Sequence, residues 1–171
     1  MDKRQQLIHT AFNLFYQNGI HAVGINQILQ TAGIAKKTLY HHFASKEEFG
    51  LAIIDEFAVA YNDKIAHFLN NEALSPLQRI RAYLDDGLAT IREGMCKRSC
   101  LIGTLGQELS SQNETFRVRL DQVFEGWKQQ FGLCLKSAID CGELSEEADV
   151  EQFSEFLLSG WQGAILRAKM H

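Results

Sequence analysis

The residues from Ile25 to Phe43, INQILQTAGIAKKTLYHHF, constrain the fold more than any other stretch of the sequence. Apolar residues at helical spacing run to Ala32, and Gly33 follows where a turn would favour a positive φ. A second short helix is then predicted, with two lysines, a threonine, a tyrosine and two histidines. Two short helices joined by a tight glycine turn are typical of a helix-turn-helix, which presents its second helix to the DNA major groove.

The rest of the chain also shows apolar residues at helical spacing, and the sequence therefore predicts an all-α protein. Helices are expected at about residues 3–18, 25–32, 36–42, 46–68, 76–95, 99–111 and 113–141, and from after residue 147 toward the C-terminus. The predicted N-caps of the first, fourth, fifth and seventh helices are Asp2, Ser45, Ser75 and Asn113. We expect an N-terminal three-helix DNA-binding domain at 1–47 and a C-terminal helical bundle at 48–171.

The charge of the chain is unevenly distributed. Residues 1–50 carry five Lys or Arg against three acids, a net charge of +2, although the whole chain has a net charge of −4. A mildly basic head on an acidic body suits a DNA-contacting module, because phosphate contacts need only local positive charge. No run of about 18 apolar residues and no signal peptide are visible, so we expect a cytoplasmic protein.

The four cysteines, Cys96, Cys100, Cys134 and Cys141, are expected to be reduced in such a protein. No Cys and His cluster with zinc spacing accompanies them, and we expect no metal and no cofactor. The sequence also shows no phosphate loop, no Ser-His-Asp order and no coherent acid–base pair, which argues against an enzyme.

The segment INQILQTAGIAKKTLYHHFASKEEF resembles the DNA-binding signature of the TetR/AcrR family of bacterial transcriptional repressors. The glycine turn, the Leu-Tyr-x-His-Phe end of the second helix and the Ser-Lys-Glu-Glu helix start occur at the offsets of that family. The match covers about residues 3–55, whereas residues 56–171 resemble the family only in their helical layout. Ala35 departs from the pattern, since many members have a Ser or Thr there that caps the recognition helix. The sequence ends at His171, where members usually continue into another helix.

The resemblance implies that the helix at about 36–42 reads the major groove. Lys37 and Thr38 are expected at base edges, Tyr40 and His42 at phosphates, and His41 at the groove or the backbone. The complete predicted DNA-binding set is Gly24, Asn26, Gln27, Lys36, Lys37, Thr38, Tyr40, His41, His42 and Lys46. Taken singly, a lysine pair on a short helix is more often only a solvated face.

The resemblance also implies a homodimer on a palindromic operator and a small-molecule inducer. The predicted dimer surface is on the seventh and eighth helices, with Phe124, Trp127, Phe131, Phe153, Phe156, Leu157 and Trp161. Filling of the monomer core is an equal alternative for each of these residues. Tyr61, Tyr83, Phe116 and Trp161 are candidate walls of a ligand pocket, and core packing is the commoner role for each.

Cys100 begins the segment CLIGTLGQE, which is similar to that of a family branch in which some members sense electrophiles through a cysteine. We expect Cys100 in the first turn of a helix, after Lys97 and Arg98, where a thiolate would be favoured. A buried, inert cysteine is the alternative.

The leading function is therefore a ligand- or electrophile-responsive transcriptional regulator, most simply a repressor. The alternatives are a helical ligand-binding protein without DNA-binding activity, and a protein–protein adaptor that uses the apolar C-terminal surface. Salt-dependent binding to duplex DNA would separate the regulator from both alternatives.

Overall fold

A computed structural model of the chain describes residues 2–18, 22–94 and 100–170. The described residues are helical, without strands, which confirms the predicted all-α class. Their helices are α1 (Lys3–Asn18), α2 (Ile25–Ala32), α3 (Lys36–His42), α4 (Lys46–Leu69), α5 (Pro76–Glu93), α6 (Leu101–Leu109), α7 (Glu114–Asp140) and α8 (Val150–Ala168). No helix in this part of the chain is long and apolar enough to cross a membrane.

Both boundaries of α6 differ from the prediction. Helix α6 begins at Leu101, so Cys100 precedes the helix instead of lying in its first turn, and the predicted start at Ser99 is outside the described residues. The same helix ends at Leu109, because the N–H groups of Gln112 and Asn113 both fold back onto the Leu109 carbonyl. Asn113 then caps α7 as predicted, since its Oδ1 accepts from the Phe116 N–H at 3.0 Å.

The chain divides into two compact units. The head unit comprises Met1–Val59 with Leu101–Leu120, and the body unit comprises Ala60–Cys100 with Asp121–His171. This division cuts α4 after Val59, and the predicted domain boundary between residues 47 and 48 stays a prediction.

The head unit is built on one apolar cluster. Leu7, Ile8 and Ala11 of α1 are buried, as are Ile28 and Leu29 of α2. Further along the chain the cluster takes in Ile34, Leu39, Phe43, Phe49 and Ile53. Phe12 and Phe15 of α1 are only partly buried. The apolar spacing read from the sequence therefore predicts the core of the head well, and the polar residues between these positions are left outside.

Aromatic side chains dominate the interior of the body unit. Trp127 and Phe131 of α7 are 2% and 1% exposed. The Tyr61 ring lies 5.3 Å from Trp127, and Tyr83 lies 5.3 Å from Phe131. For Trp127 and Phe131 the structure favours filling of the monomer core, which was the equal alternative to a place on the dimer surface, because both are enclosed by their own unit.

Two polar ties fix helices of the body unit. Lys128 of α7 lies 2.8 Å from the carboxylate of Glu125 and 2.9 Å from that of Glu151 on α8, which raises its pKa above the ordinary value. Glu143, in the turn after α7, accepts hydrogen bonds from the Ser75 hydroxyl and, at 2.9 Å, from the Leu77 N–H at the start of α5. These bonds hold the pKa of Glu143 below its usual value.

Candidate nucleic-acid interface

The start of α2 offers backbone N–H groups to solvent. Gly24 has an extended conformation (φ −87°, ψ 159°) and forms no side-chain cap. The Gly24 carbonyl accepts from the N–H groups of Gln27 and Ile28, which leaves those of Ile25 and Asn26 outside the helical ladder. A Cβ built on Gly24 would meet nothing within 4 Å. An open helix N-terminus of this kind suits a phosphate.

The turn between α2 and α3 is fixed by its backbone. Gly33 has φ 66° and ψ 29°, the left-handed conformation predicted for it. The Ile34 N–H donates to the Leu29 carbonyl at 3.0 Å, and the Gln6 side chain of α1 donates to the Ala32 carbonyl at 3.0 Å. The contribution of Gln6 has no motif in the sequence and was missed there.

Helix α3 has one apolar side and one polar side. Leu39 and the following Phe43 are 0% and 1% exposed and hold the helix in the head core. The opposite face carries exposed Lys36, Lys37, Tyr40 and His41, and partly exposed Thr38 and His42. This arrangement presents all six predicted DNA-contacting side chains of the helix on the outside of the head unit.

The N-terminus of α3 is uncapped by a side chain. Ala35 occupies the N-cap position with φ −69° and ψ 145°, and it makes no side-chain hydrogen bond. This confirms the departure read from the sequence. At the other end of the helix, the Arg4 guanidinium lies 5.2 Å from the centre of the Phe43 ring, a cation–π distance.

Lys46 is exposed at the first position of α4. Ser45 caps this helix as predicted, since its Oγ accepts from the Glu48 N–H at 3.0 Å. The Glu48 carboxylate accepts from the Ala44 N–H, one residue before the position expected for a capping box. Glu47 accepts from the Asn113 side chain at 2.7 Å. Both acids next to Lys46 thus have donors from the chain itself.

The start of α7 braces α4 within the head unit. Besides the bond between Asn113 and Glu47, Arg119 donates to Asp55 at 2.6 Å. The Phe116 ring covers Gly50 so closely that a Cβ there would lie 2.8 Å from it. These contacts join residues more than 60 positions apart in the sequence, and no sequence pattern predicts them.

The candidate ligand-contacting residues fall into both units. Phe116 belongs to the head, where it lies against α4, whereas Tyr61, Tyr83 and Trp161 belong to the body. Tyr83 and Trp161 have ring centres 6.4 Å apart, while Tyr61 stacks on Trp127. Tyr83 is buried, and this burial raises the pKa of its hydroxyl above the ordinary value. The pocket predicted from these four residues stays a prediction.

Cys100 is 4% exposed and directly precedes α6. Cys134 is also buried and its thiol donates to the Pro76 carbonyl at 3.3 Å, whereas Cys141 is exposed. Burial raises the pKa of Cys134. Cys96, Lys97 and Arg98 lie outside the described residues. Within the described ranges, no group of His, Cys, Asp and Glu side chains could hold a metal ion.

Comparisons with known proteins identify both parts of the chain. Residues 7–53 match the model of bacterial regulatory proteins of the tetR family. Residues 76–171 match the model of the tetracyclin repressor-like C-terminal domain.

Curated relatives align over nearly the whole chain. The transcriptional regulator AcuR of Cereibacter sphaeroides is 35% identical over 97% of this chain and 76% of its own length. The HTH-type transcriptional repressor DhaR of a Mycobacterium species is 30% identical over 98% of this chain and 82% of its own length.

Solved structures give the same result. The crystal structure of the regulatory protein TetR from Rhodobacter sphaeroides superimposes with a TM-score of 0.88 at 33% identity, covering 97% of this chain and 88% of that one. The reduced form of NemR from Escherichia coli gives a TM-score of 0.86 at 29% identity, covering 99% and 88%. The chain therefore belongs to the TetR family of bacterial regulatory proteins and is a DNA-binding transcriptional regulator.

Proposed function

We propose that this regulator is a repressor that binds a palindromic operator as a homodimer and leaves it when a small molecule binds. One observation carries the DNA-binding part of the proposal. Helix α3 buries Leu39 and leaves Lys36, Lys37, Tyr40 and His41 exposed on one face. The relatives DhaR and NemR are named repressors, which supports the direction of regulation.

Each predicted DNA contact has a chemical role in this proposal. Lys37 and Thr38, in the first turn of α3, reach base edges, where a lysine donates to guanine O6 or N7. Tyr40 and His42 donate to phosphates. The open start of α2 and the Lys46 ammonium hold phosphates on the flanking backbone. Only a few side chains therefore specify sequence, and the others set the register.

Dimerisation through α7 and α8 would place two copies of α3 one DNA turn apart, about 34–36 Å. Support for this surface comes from apolar side chains that the body unit leaves exposed. Phe153 and Phe156 of α8 are 47% and 75% exposed, and Leu133 of α7 is 68% exposed. Large exposed apolar patches on a protein surface are typical of interaction sites. As a DNA-binding regulator, the protein would act in the cytoplasm.

Electrophile sensing at Cys100 is a further part of the proposal. Support comes from the sequence position of Cys100 directly before α6, since cysteines at helix N-termini are in general the more reactive ones, although its 4% exposure slows any reagent. The NemR structure in the comparison is that of a reduced form. The alternative trigger is a non-covalent ligand in the body unit, near Tyr83 and Trp161.

The DNA-binding proposal is tested by titrating duplex DNA at several salt concentrations. Replacing Lys37 or Tyr40 with alanine should weaken binding about ten-fold, within the range of 1–3 kcal/mol for such contacts. Both side chains are exposed, so the unfolding transition should not change. Lys136, exposed on α7 of the body, is the matched control for loss of a lysine. Absence of salt-dependent duplex binding by the wild-type protein would refute the proposal.

The cysteine proposal is tested with a variant in which Cys96, Cys134 and Cys141 are serine. Maleimide should label Cys100 in that variant faster than it labels Cys141 in the corresponding Cys141-only variant, although Cys141 is the exposed thiol. Cys100→Ser should remain on DNA when an electrophile is added. Slower labelling of Cys100 than of Cys141, or a normal electrophile response of Cys100→Ser, would exclude the sensor role.

A further inference from the structure

A partly open cavity of about 190 Å³ lies in the head unit, and the predicted DNA-contacting residue Lys46 is in its lining. It is bounded by the starts of α2 and α4 on one side and by α6 and the start of α7 on the other. Ile25, Lys46, Gly50, Leu105, Leu109 and Phe116 are among its lining residues. The candidate ligand-contacting residue Phe116 therefore lines a site in the head, together with residues that were not predicted to bind a ligand.

The size and chemistry of this cavity restrict what it can hold. An apolar protein cavity of about 150 Å³ accommodates benzene, so the present cavity has room for a benzene-sized body with a small substituent. Among the described residues that line the cavity, Lys46 alone carries a charge, and the remaining side chains are apolar.

Lys46 is the one charged residue in the described lining of the cavity, and it favours an anionic substituent there. Glu47 and Glu48 keep their charges but are not among the lining residues. Glu47 is engaged by Asn113 at 2.7 Å, and Glu48 by the Ala44 N–H. Lys46 itself is exposed, and no ion pair joins it to an acid in the described part of the chain. An apolar cavity whose lining includes one exposed lysine fits a molecule with one carboxylate and a small apolar body.

We propose that the head cavity binds a small aromatic or short-chain carboxylate, with its apolar body between α4 and α6 and its carboxylate at Lys46. The effect on DNA rests on the proposed function, in which Lys46 holds a phosphate. A bound carboxylate neutralises the ammonium and excludes that phosphate. The ligand thus acts on the DNA-contacting surface directly, without any change in the body unit.

Binding is tested with benzoate and its neutral isostere benzamide, using ligand-observed saturation-transfer NMR titrations of the full chain. Benzoate should bind at least ten-fold more tightly than benzamide, and Lys46→Met should remove that difference. Hexanoate against hexanamide repeats the comparison for an aliphatic body. Equal affinity for acid and amide in both pairs would overturn the proposal.

Position 109 locates the ligand. Leu109→Trp fills the cavity and should abolish binding, whereas Leu109→Ala enlarges it and should retain binding. Leu84→Trp, which fills a groove of the body unit, is the control and should bind benzoate as the wild type does. Retained binding in a folded Leu109→Trp protein would overturn the assignment. If that variant does not fold, the loss of charge discrimination in Lys46→Met decides the question alone.

The consequence for DNA is measured in the same samples. Saturating benzoate should weaken duplex binding by the wild type and reduce the salt slope by about one phosphate contact, and it should have no effect on Leu109→Trp. An unchanged DNA affinity in benzoate-saturated wild type would overturn the regulatory part of the inference. If the ligand-free protein did not bind duplex DNA, the proposed function would be refuted. The comparison of benzoate with benzamide would still test whether the cavity binds a carboxylate.

Discussion

At the scale of single residues, Gly24 and Gly33 of the head unit differ in why glycine is favoured at each position. A Cβ on Gly24 or on Gly33 would meet no atom within 4 Å, so neither position is limited by space. Gly33, however, has φ 66°, while Gly24 has an ordinary extended φ of −87°. Backbone conformation thus demands glycine at residue 33, and open approach to the start of α2 is what residue 24 preserves.

We predict that Gly33→Ala lowers the free energy of unfolding of the head by about 1–2 kcal/mol, because a Cβ is strained in the left-handed region. Gly24→Ala should leave stability nearly unchanged but weaken DNA binding, since its methyl group stands beside the free N–H groups of α2. Chemical denaturation and DNA titration of both variants check the pair. A stable Gly33→Ala, or a Gly24→Ala with wild-type DNA affinity, would contradict the respective reason.

At the scale of secondary-structure elements, α3 is short and lacks a side-chain N-cap. Its seven residues follow Ala35, whose extended backbone is already the conformation of a capping residue. We predict that Ala35→Thr stabilises the head by about 1 kcal/mol, because the hydroxyl can accept from an N–H in the first turn. Ala35→Val has the same shape without that hydroxyl and is the matched control. Equal unfolding midpoints for the two variants would show that capping adds nothing here.

The start of α5 is held by a charge from the turn that follows α7. Hydrogen bonds from the Leu77 N–H and the Ser75 hydroxyl depress the pKa of Glu143 below 4.5. A carboxyl group whose pKa is lower in the folded state than in the unfolded state stabilises the fold at pH values above its unfolded pKa. This stabilisation is lost as the pH falls through the pKa of the folded state.

We therefore predict that Glu143→Gln is less stable than the wild type at pH 7 and that the two proteins converge as the pH falls below about 4.5. Urea denaturation across that pH range provides the measurement. Glu146→Gln, an exposed acid in the same loop, is the control and should show no such convergence. A constant difference between Glu143→Gln and the wild type at every pH would show that the charge is not the stabilising feature.

At the scale of the whole molecule, the proposed homodimer depends on the exposed apolar residues of the body. Phe156 is 75% exposed, so its replacement should cost little within the monomer. We predict that Phe156→Glu lowers the dimer population strongly in sedimentation at micromolar concentration and weakens binding to a two-half-site duplex. Gln112→Glu adds the same charge at an exposed position outside α7 and α8 and should remain dimeric. If the Phe156→Glu protein remained dimeric, the dimer interface would not include Phe156, and the proposed location would be contradicted.

The sequence alone determined the all-α class, the bounds of α1 to α3, and the outward face of α3. These features follow from local rules: apolar spacing selects the buried side, Gly33 permits the turn, and Ser45 and Asn113 cap the helices that follow them. The missing cap at Ala35 was visible for the same reason. All of these features depend on residues that are close together in the sequence, so they can be predicted without knowing the tertiary contacts.

Only the tertiary structure decided which aromatic residues meet. Trp127 and Phe131 turned inward while Phe153 and Phe156 stayed exposed, although their spacing on α7 and α8 gave both outcomes equal support. Phe116 covers Gly50 and lines the cavity beside Lys46, across 66 positions of sequence. Helical periodicity indicates that a residue has a buried side, but the partner is chosen by long-range packing, which depends on the volumes and angles of whole helices.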